Sequence, residues 1–209
     1  MRGHGDSDRT LSDYSIGSMA NDVIEFMDAL RIDRATVAGH SLGSYVAQRA
    51  AAIAPRRVDR LLLIGATTTP RTIVGVEELV AAVGQLADPV PVDFIRAFQE
   101  STVYAPVPAE FMDEVVRRST KLTAAVWHGV AASLIATGPV TDLGRHRIPA
   151  LVLWGERDAL MLRYEQDALV ESLGARLIVY PETGHAPHWE RPVESARDLI
   201  AFMDEKATR

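Results

Sequence analysis

The stretch Gly39-His40-Ser41-Leu42-Gly43 sets a serine between two glycines, directly after the apolar run "ATVAG" and before an Ala-rich helical segment. On a sharp strand-to-helix turn a serine hydroxyl is pushed clear of the backbone, and flanking glycines relieve the crowding. The following helix turns its N-terminus, with free N–H groups and a partial positive charge, toward the same spot. The N–H of Leu42 is then placed to donate to a developing oxyanion. The bare pattern also describes an ordinary Gly-rich turn with an ordinary serine; the strand–turn–helix context favours a nucleophile. A serine hydroxyl is barely ionised near neutral pH, so it needs a base. "LWGERDAL" puts Asp158 just beyond one apolar run, and "YPETGHAPHWERP" puts His185 just beyond another. Glu156 competes with Asp158 and lies closer to its strand, where a solvated turn residue also fits. His188 competes with His185 and sits beside Trp189, as a packed or surface histidine would. His185 follows Gly184, where a tight turn lifts the ring toward Ser41, and Asp158 and His185 are the preferred pair.

These side chains need a frame. "ATVAG" (35–39), "VDRLLLIGA" (58–66), "PALVLWG" (149–155) and "ARLIVYP" (175–181) read as four buried strands. Helical spacing follows Ser41 as far as Pro55. It recurs around 161–173, closed by Gly174, and again through Val193, Ala196, Leu199, Ile200 and Met203. An earlier helix carries Met19, Val23, Phe26, Met27 and Leu30, with Ser18 as its N-cap, after a turn-rich stretch containing Gly3, Gly5, Ser12 and Asp13. Apolar strands alternating with helices predict an α/β fold with a parallel sheet covered on both faces. Such sheets bind ligands beyond the carboxyl ends of their strands, where Ser41, Asp158 and His185 all fall. Between Thr67 and Arg147 no good strand occurs. Four helix-like segments, 76–87, 92–101, 108–120 and 122–136, fill a span too long for a simple loop. The predicted organisation is a core of 1–66 and 148–209 with a helical cap insertion, 67–147.

Composition removes several alternatives. The 209 residues are 47% hydrophobic and 24% charged, with a net charge of −6. That balance suits a globular protein with a real core and disfavours a general nucleic-acid binder. No cysteine is present, so disulfides, thiolate metal sites and cysteine nucleophiles are excluded. The histidines at 4, 40, 128, 146, 185 and 188 show no metal-ligand spacing, and no phosphate-binding Gly-rich loop follows a strand. The reading expects no metal and no cofactor, and a small molecule as the partner. No apolar run approaches the ~20 residues of a membrane span, and the expected location is cytoplasmic.

The segments "RGHGDSD", "VAGHSLGS", "RVDRLLLIGA", "PALVLWGERDAL" and "TGHAPHWERP" span nearly the whole chain. In order and spacing they resemble the α/β-hydrolase fold family. The resemblance implies Ser41 as nucleophile, Asp158 as acid, His185 as base and the Leu42 N–H in the oxyanion hole. It also implies that 67–147 is the family's cap. A serine at 41 disfavours the dehalogenases and epoxide hydrolases of this fold, which place an aspartate there. It leaves carboxylesterases, lactonases, C–C bond hydrolases, thioesterases and cofactor-free perhydrolases. The cap's bulky residues Phe94, Phe98, Tyr104, Phe111, Met112 and Trp127 are candidates for an apolar substrate pocket, although most such residues merely pack helices together. Phe94, Phe98, Tyr104 and Trp127 lead among them. Trp154 reads as core, and Glu190 with Pro192 as a helix entry; His128, beside Trp127, is within reach of the site but fits a surface or packing role better. Relatives carry four strands and a helix ahead of the R-G-H-G turn, including a loop that supplies a second oxyanion N–H. The resemblance therefore implies an N-terminally truncated core, the C-terminal half of the sheet, with Met1 at an internal position of the family pattern. "ATVAG" would then be an exposed apolar edge, open to homo-oligomer formation. The alternative to an enzyme is a member that keeps the triad residues and binds ligands without turnover.

Overall fold

The computed structural model describes residues 1–10, 13–140 and 143–205; Ser12 of the opening turns lies outside them. Four strands form one sheet: β1 (Ala35–His40), β2 (Val58–Ile64), β3 (Ala150–Gly155) and β4 (Arg176–Tyr180). They run parallel in the order β1-β2-β3-β4. Gly39 pairs with Leu63, Leu63 with Val152, and Val152 with Leu177. Each connection returns to the same end of the sheet, as parallel pairing requires. The carboxyl ends of all four strands therefore share one edge.

The helices are α1 (Ile16–Ala29), α2 (Leu42–Ile53), α3 (Val76–Val83), α4 (Val92–Glu100), α5 (Ala109–Ser119), α6 (Ala124–Ala136), α7 (Arg163–Leu173), α8 (Pro187–Glu190) and α9 (Pro192–Asp204). The cap of α1 differs from expectation. Ser15, not Ser18, is the N-cap: its backbone is extended and its hydroxyl accepts the N–H of Ser18. Ser18 is the third helical residue, the donor rather than the cap. Gly174 closes α7 in the left-handed region, as its spacing predicts.

Period-two alternation along β2 divides the core. Leu61 and Leu63 pack with Ala47, Ala51, Val152 and Leu169 on the α2–α7 face. Leu62 and Ile64 point the other way and pack with Leu151, Leu153, Tyr180 and Phe202. On that second face α9 contributes Phe202, with Leu199 partly buried beside it. The apolar spacing along α9 predicted otherwise. Val193 is 78% exposed and Ile200 53% exposed, because positions 195, 199 and 202 form the stripe turned inward. β3 is buried throughout, whereas β1, apolar enough to predict a buried strand, is half-exposed. Among the described residues it pairs with β2 alone, at the end of the sheet.

Between β2 and β3 the chain forms α3 to α6. Val90, Ile95, Met112, Val116 and Ala124 make a small core of their own, with Phe94 and Trp127 against it. This helical segment between β2 and β3 is not freestanding, however. Val126 and Leu134 of α6 share a second cluster with Tyr14, Met19 of α1 and Tyr45 of α2. No helix among the described residues is long and apolar enough to cross a membrane.

Leu63 is fully buried in a central strand, so Leu63→Ala should cost about 2–5 kcal/mol in chemical denaturation. Val193→Ala should stay within about 0.5 kcal/mol, since that side chain is solvated. A large loss at Val193 would show that the face of α9 turned to solvent here is covered.

Candidate active site

Ser41 joins β1 to α2 with φ 51° and ψ −118°, a conformation that side-chain-bearing residues rarely adopt. Holding it costs on the order of 1–3 kcal/mol, which the surrounding bonds must offset. The Ser41 N–H donates to Ile64 O at 3.0 Å, and the Ser44 N–H and hydroxyl both donate to Ser41 O. The two flanking glycines are not equivalent. A Cβ on Gly39 would lie 2.0 Å from Gly43 O, so the backbone crossing itself demands glycine there. A Cβ on Gly43 would meet nothing within 4 Å. The expectation that both relieve crowding therefore holds for Gly39 alone. Leu42 is the first residue of α2, so its N–H has no partner within the helix.

Asp158 follows β3. Its Oδ1 accepts the N–H groups of Leu160 and Met161 at 2.9 and 3.0 Å, which fixes the carboxylate plane. Its Oδ2 lies 2.9 Å from Nδ1 of His185, beyond the end of β4. A carboxylate only accepts, so Nδ1 donates this bond, and in the neutral ring Nε2 is then the acceptor. The two side chains are 0% and 2% exposed. Nε2 of His185 is buried and has no hydrogen-bond partner among the described residues. Gly65, at φ 49°, makes room for this ring: a Cβ there would sit 2.7 Å from its Cε1 and Nδ1. Glu156 is exposed and takes no part in this arrangement.

Ser41, Leu42 and His185 line one cavity of about 690 Å³, walled mainly by apolar side chains. Of the bulky residues singled out in the sequence, Phe98 and Trp127 line it too. Phe94 and Tyr104 do not. Phe94 stands edge-on to Trp127 at 5.5 Å and supports it from behind. Tyr104 is 55% exposed, with the Arg157 guanidinium over its ring. Phe111 packs on Trp189, and Met112 is buried inside the insertion. Trp154 is core, its indole N–H donating to Met161 O. His128 is exposed. Among the described residues no group of three or more His, Asp or Glu side chains is placed to hold a metal ion.

Three histidines meet beside the cavity. The His40 ring lies 4.9 Å from that of His185 and 4.4 Å from that of His188. Nε2 of His40 lies 3.1 Å from the carbonyl of His185, which can only accept, so His40 donates and steadies the backbone of His185. Sequence reasoning passed over His40, although it occupies the second position of the serine motif. Burial is the main reason that His40 titrates well below the usual histidine value, with His185 and His188 adding repulsion. Burial likewise lowers His188 to about 4, with His185 adding to it.

The model of the alpha/beta hydrolase family matches residues 1–198. An uncharacterized protein of Mycobacterium tuberculosis is 26% identical over 228 residues, covering 98% of this chain and 66% of that protein. This chain thus spans just under two thirds of that relative's length. Esterase YbfF of Escherichia coli is 25% identical, covering 98% of this chain and 81% of the esterase. Among solved structures, a hydrolase from Pseudomonas aeruginosa superposes with a TM-score of 0.84 at 26% identity, covering 98% of this chain and 77% of that one.

The lowered histidines set a pH dependence. His188 stays neutral when folded down to about pH 4 but takes a proton near 6.5 when unfolded. Between those values the unfolded chain binds more protons, so stability should fall as pH drops through this window. His188→Phe should flatten the slope of melting temperature against pH between about 6.5 and 4. An unchanged slope would mean that His188 is charged in the folded protein.

Proposed function

Because the chain belongs to the alpha/beta hydrolase family, we propose that it is a serine hydrolase acting on a small, largely apolar ester, lactone or related carbonyl compound. One observation carries this reading. The buried Asp158–His185 hydrogen bond leaves Nε2 unpartnered in the wall of a cavity that Ser41 also lines.

Nε2 of His185 takes the Ser41 proton as Oγ attacks the substrate carbonyl carbon. The carbonyl π pair moves to oxygen, and the oxyanion is met by the Leu42 N–H at the positive end of α2. Asp158 keeps the imidazole in the tautomer that accepts at Nε2 and stabilises the imidazolium. Collapse expels the alkoxide, which takes the proton from His185, and leaves an acyl-serine. Water, deprotonated by the same Nε2, then releases the acid and restores Ser41. The apolar cavity wall favours an apolar acyl or aryl group over a charged one.

A fluorophosphonate probe should label the folded protein stoichiometrically, and Ser41→Ala should abolish labelling. Asp158→Asn should lower kcat on an aryl ester on the order of 10⁴-fold, because the imidazole then adopts the wrong tautomer. Folded, unlabelled wild type would instead identify a ligand-binding member of the family. Peroxide-dependent halogenation outpacing ester hydrolysis would identify a perhydrolase.

For a macromolecular partner we propose a second copy, paired through the open edge of β1, since unpaired apolar edges recruit strands. Amides of 35–40 should gain protection from hydrogen exchange as protein concentration rises. A monomer whose β1 amides exchange fast at every concentration would remove this assignment.

A further inference from the structure

One buried side chain fastens the loop that carries His185 to the insertion. Glu190 ends α8 and is 9% exposed. Both of its oxygens accept the Gly184 N–H at 2.9 Å. Its Oε2 also accepts the N–H groups of Tyr104 at 3.0 Å and Ala105 at 2.6 Å, in the loop between α4 and α5. Three backbone donors from two distant segments thus converge on one carboxylate. A second link runs alongside, for the His185 N–H donates to Thr102 O at 3.0 Å. The junction has no slack: a Cβ on Gly184 would lie 2.6 Å from Tyr104 N and 3.0 Å from Glu190 Oε1.

The residue type matters. A carboxylate offers only acceptors, so it can hold three N–H groups at once. A glutamine amide would turn two N–H donors toward the same backbone donors and leave at least one buried N–H unmet. The fastened segment also borders the cavity, where Phe98, Gln99, Ser101 and Thr102 form part of the wall. The cavity wall and the loop of the base are therefore tied at adjacent residues.

We propose that Glu190 is a positioning residue that makes residues 101–105 and Gly184-His185 one mechanical unit, so that the insertion sets the His185 imidazole against Ser41. The catalytic consequence rests on the serine-hydrolase reading; the mechanical link does not. Nothing in the local sequence beyond a glutamate before a helix announces this role, and a helix-entry charge was the sequence-level expectation.

In the wild-type protein the amides of Tyr104, Ala105, Gly184 and His185 should show similar protection from hydrogen exchange, because they open together. Far weaker protection at Tyr104 and Ala105 than at Gly184 and His185 would overturn the link. In Glu190→Gln, exchange should rise in both segments while the sheet stays protected. The low-field proton resonance of His185 Nδ1–H, identified by its loss in His185→Gln, should shift or broaden. Ser41 phosphonylation and kcat per titrated site should fall about 10- to 100-fold, with KM for a short aryl ester changing far less. A purely structural role would lower melting temperature and yield yet leave the per-site rate and the resonance unchanged, and that result would also overturn the proposal. If Glu190→Gln does not fold, Gly184→Ala strains the same junction with the carboxylate intact, and the wild-type exchange pattern still decides. If wild type neither labels nor hydrolyses esters, the serine-hydrolase reading falls. The exchange and resonance results then decide the link by themselves.

Discussion

A carboxylate and an imidazole share a single hydrogen bond where solvent does not reach, and much of the surrounding backbone is arranged to make that tolerable. A buried carboxylate is costly unless its lone pairs are met. Asp158 is met three times, by two backbone N–H groups and by His185 Nδ1. Those donors exist only because the chain turns back on itself immediately after β3. His185 comes from a different loop, so the bond forms only if β3 and β4 are held in register, as the pairing of Gly155 with Tyr180 holds them. The sheet thus acts as a ruler for the site. A parallel arrangement suits this because it delivers several loops to the same edge.

Close backbone contact is the second constraint, and it falls on particular glycines. Gly39 lets β1 cross the start of α2, and Gly65 lets the His185 ring lie against the end of β2. Where there is no contact, as at Gly43, glycine is sterically optional. The Ser41 backbone conformation is held by partners on both sides, a neighbouring strand and the first turn of α2. Its strain is distributed over elements already packed for other reasons.

The strands were legible because buried β-structure writes itself as short apolar runs, and all four fall within a residue or two of their predicted ends. Asp158 and His185 were legible because each follows such a run. What failed did so for identifiable reasons. Apolar spacing along α9 cannot say which of two overlapping stripes faces the sheet, and the stripe through Ser195 and Phe202 won. Bulk alone did not distinguish Phe98, which lines the cavity, from Phe94, which stands behind Trp127. His40 and Glu190 act on backbone atoms distant in sequence, and no local pattern encodes such a partner.

Val126, Leu134 and Met161 belong at once to the cavity wall and to the cluster that joins α6 to α1 and α2. The shape of the cavity and the stability of the fold therefore draw on the same side chains. Enlarging this part of the cavity would loosen the seam between α6 and the α1–α2 pair in the same step. Phe98 and Gln99 line the cavity from outside that cluster, but they adjoin the segment that is bonded to Gly184-His185 through Glu190 and Thr102. One side of the cavity is thus committed to holding the helices together and the other to holding the His185 loop in place.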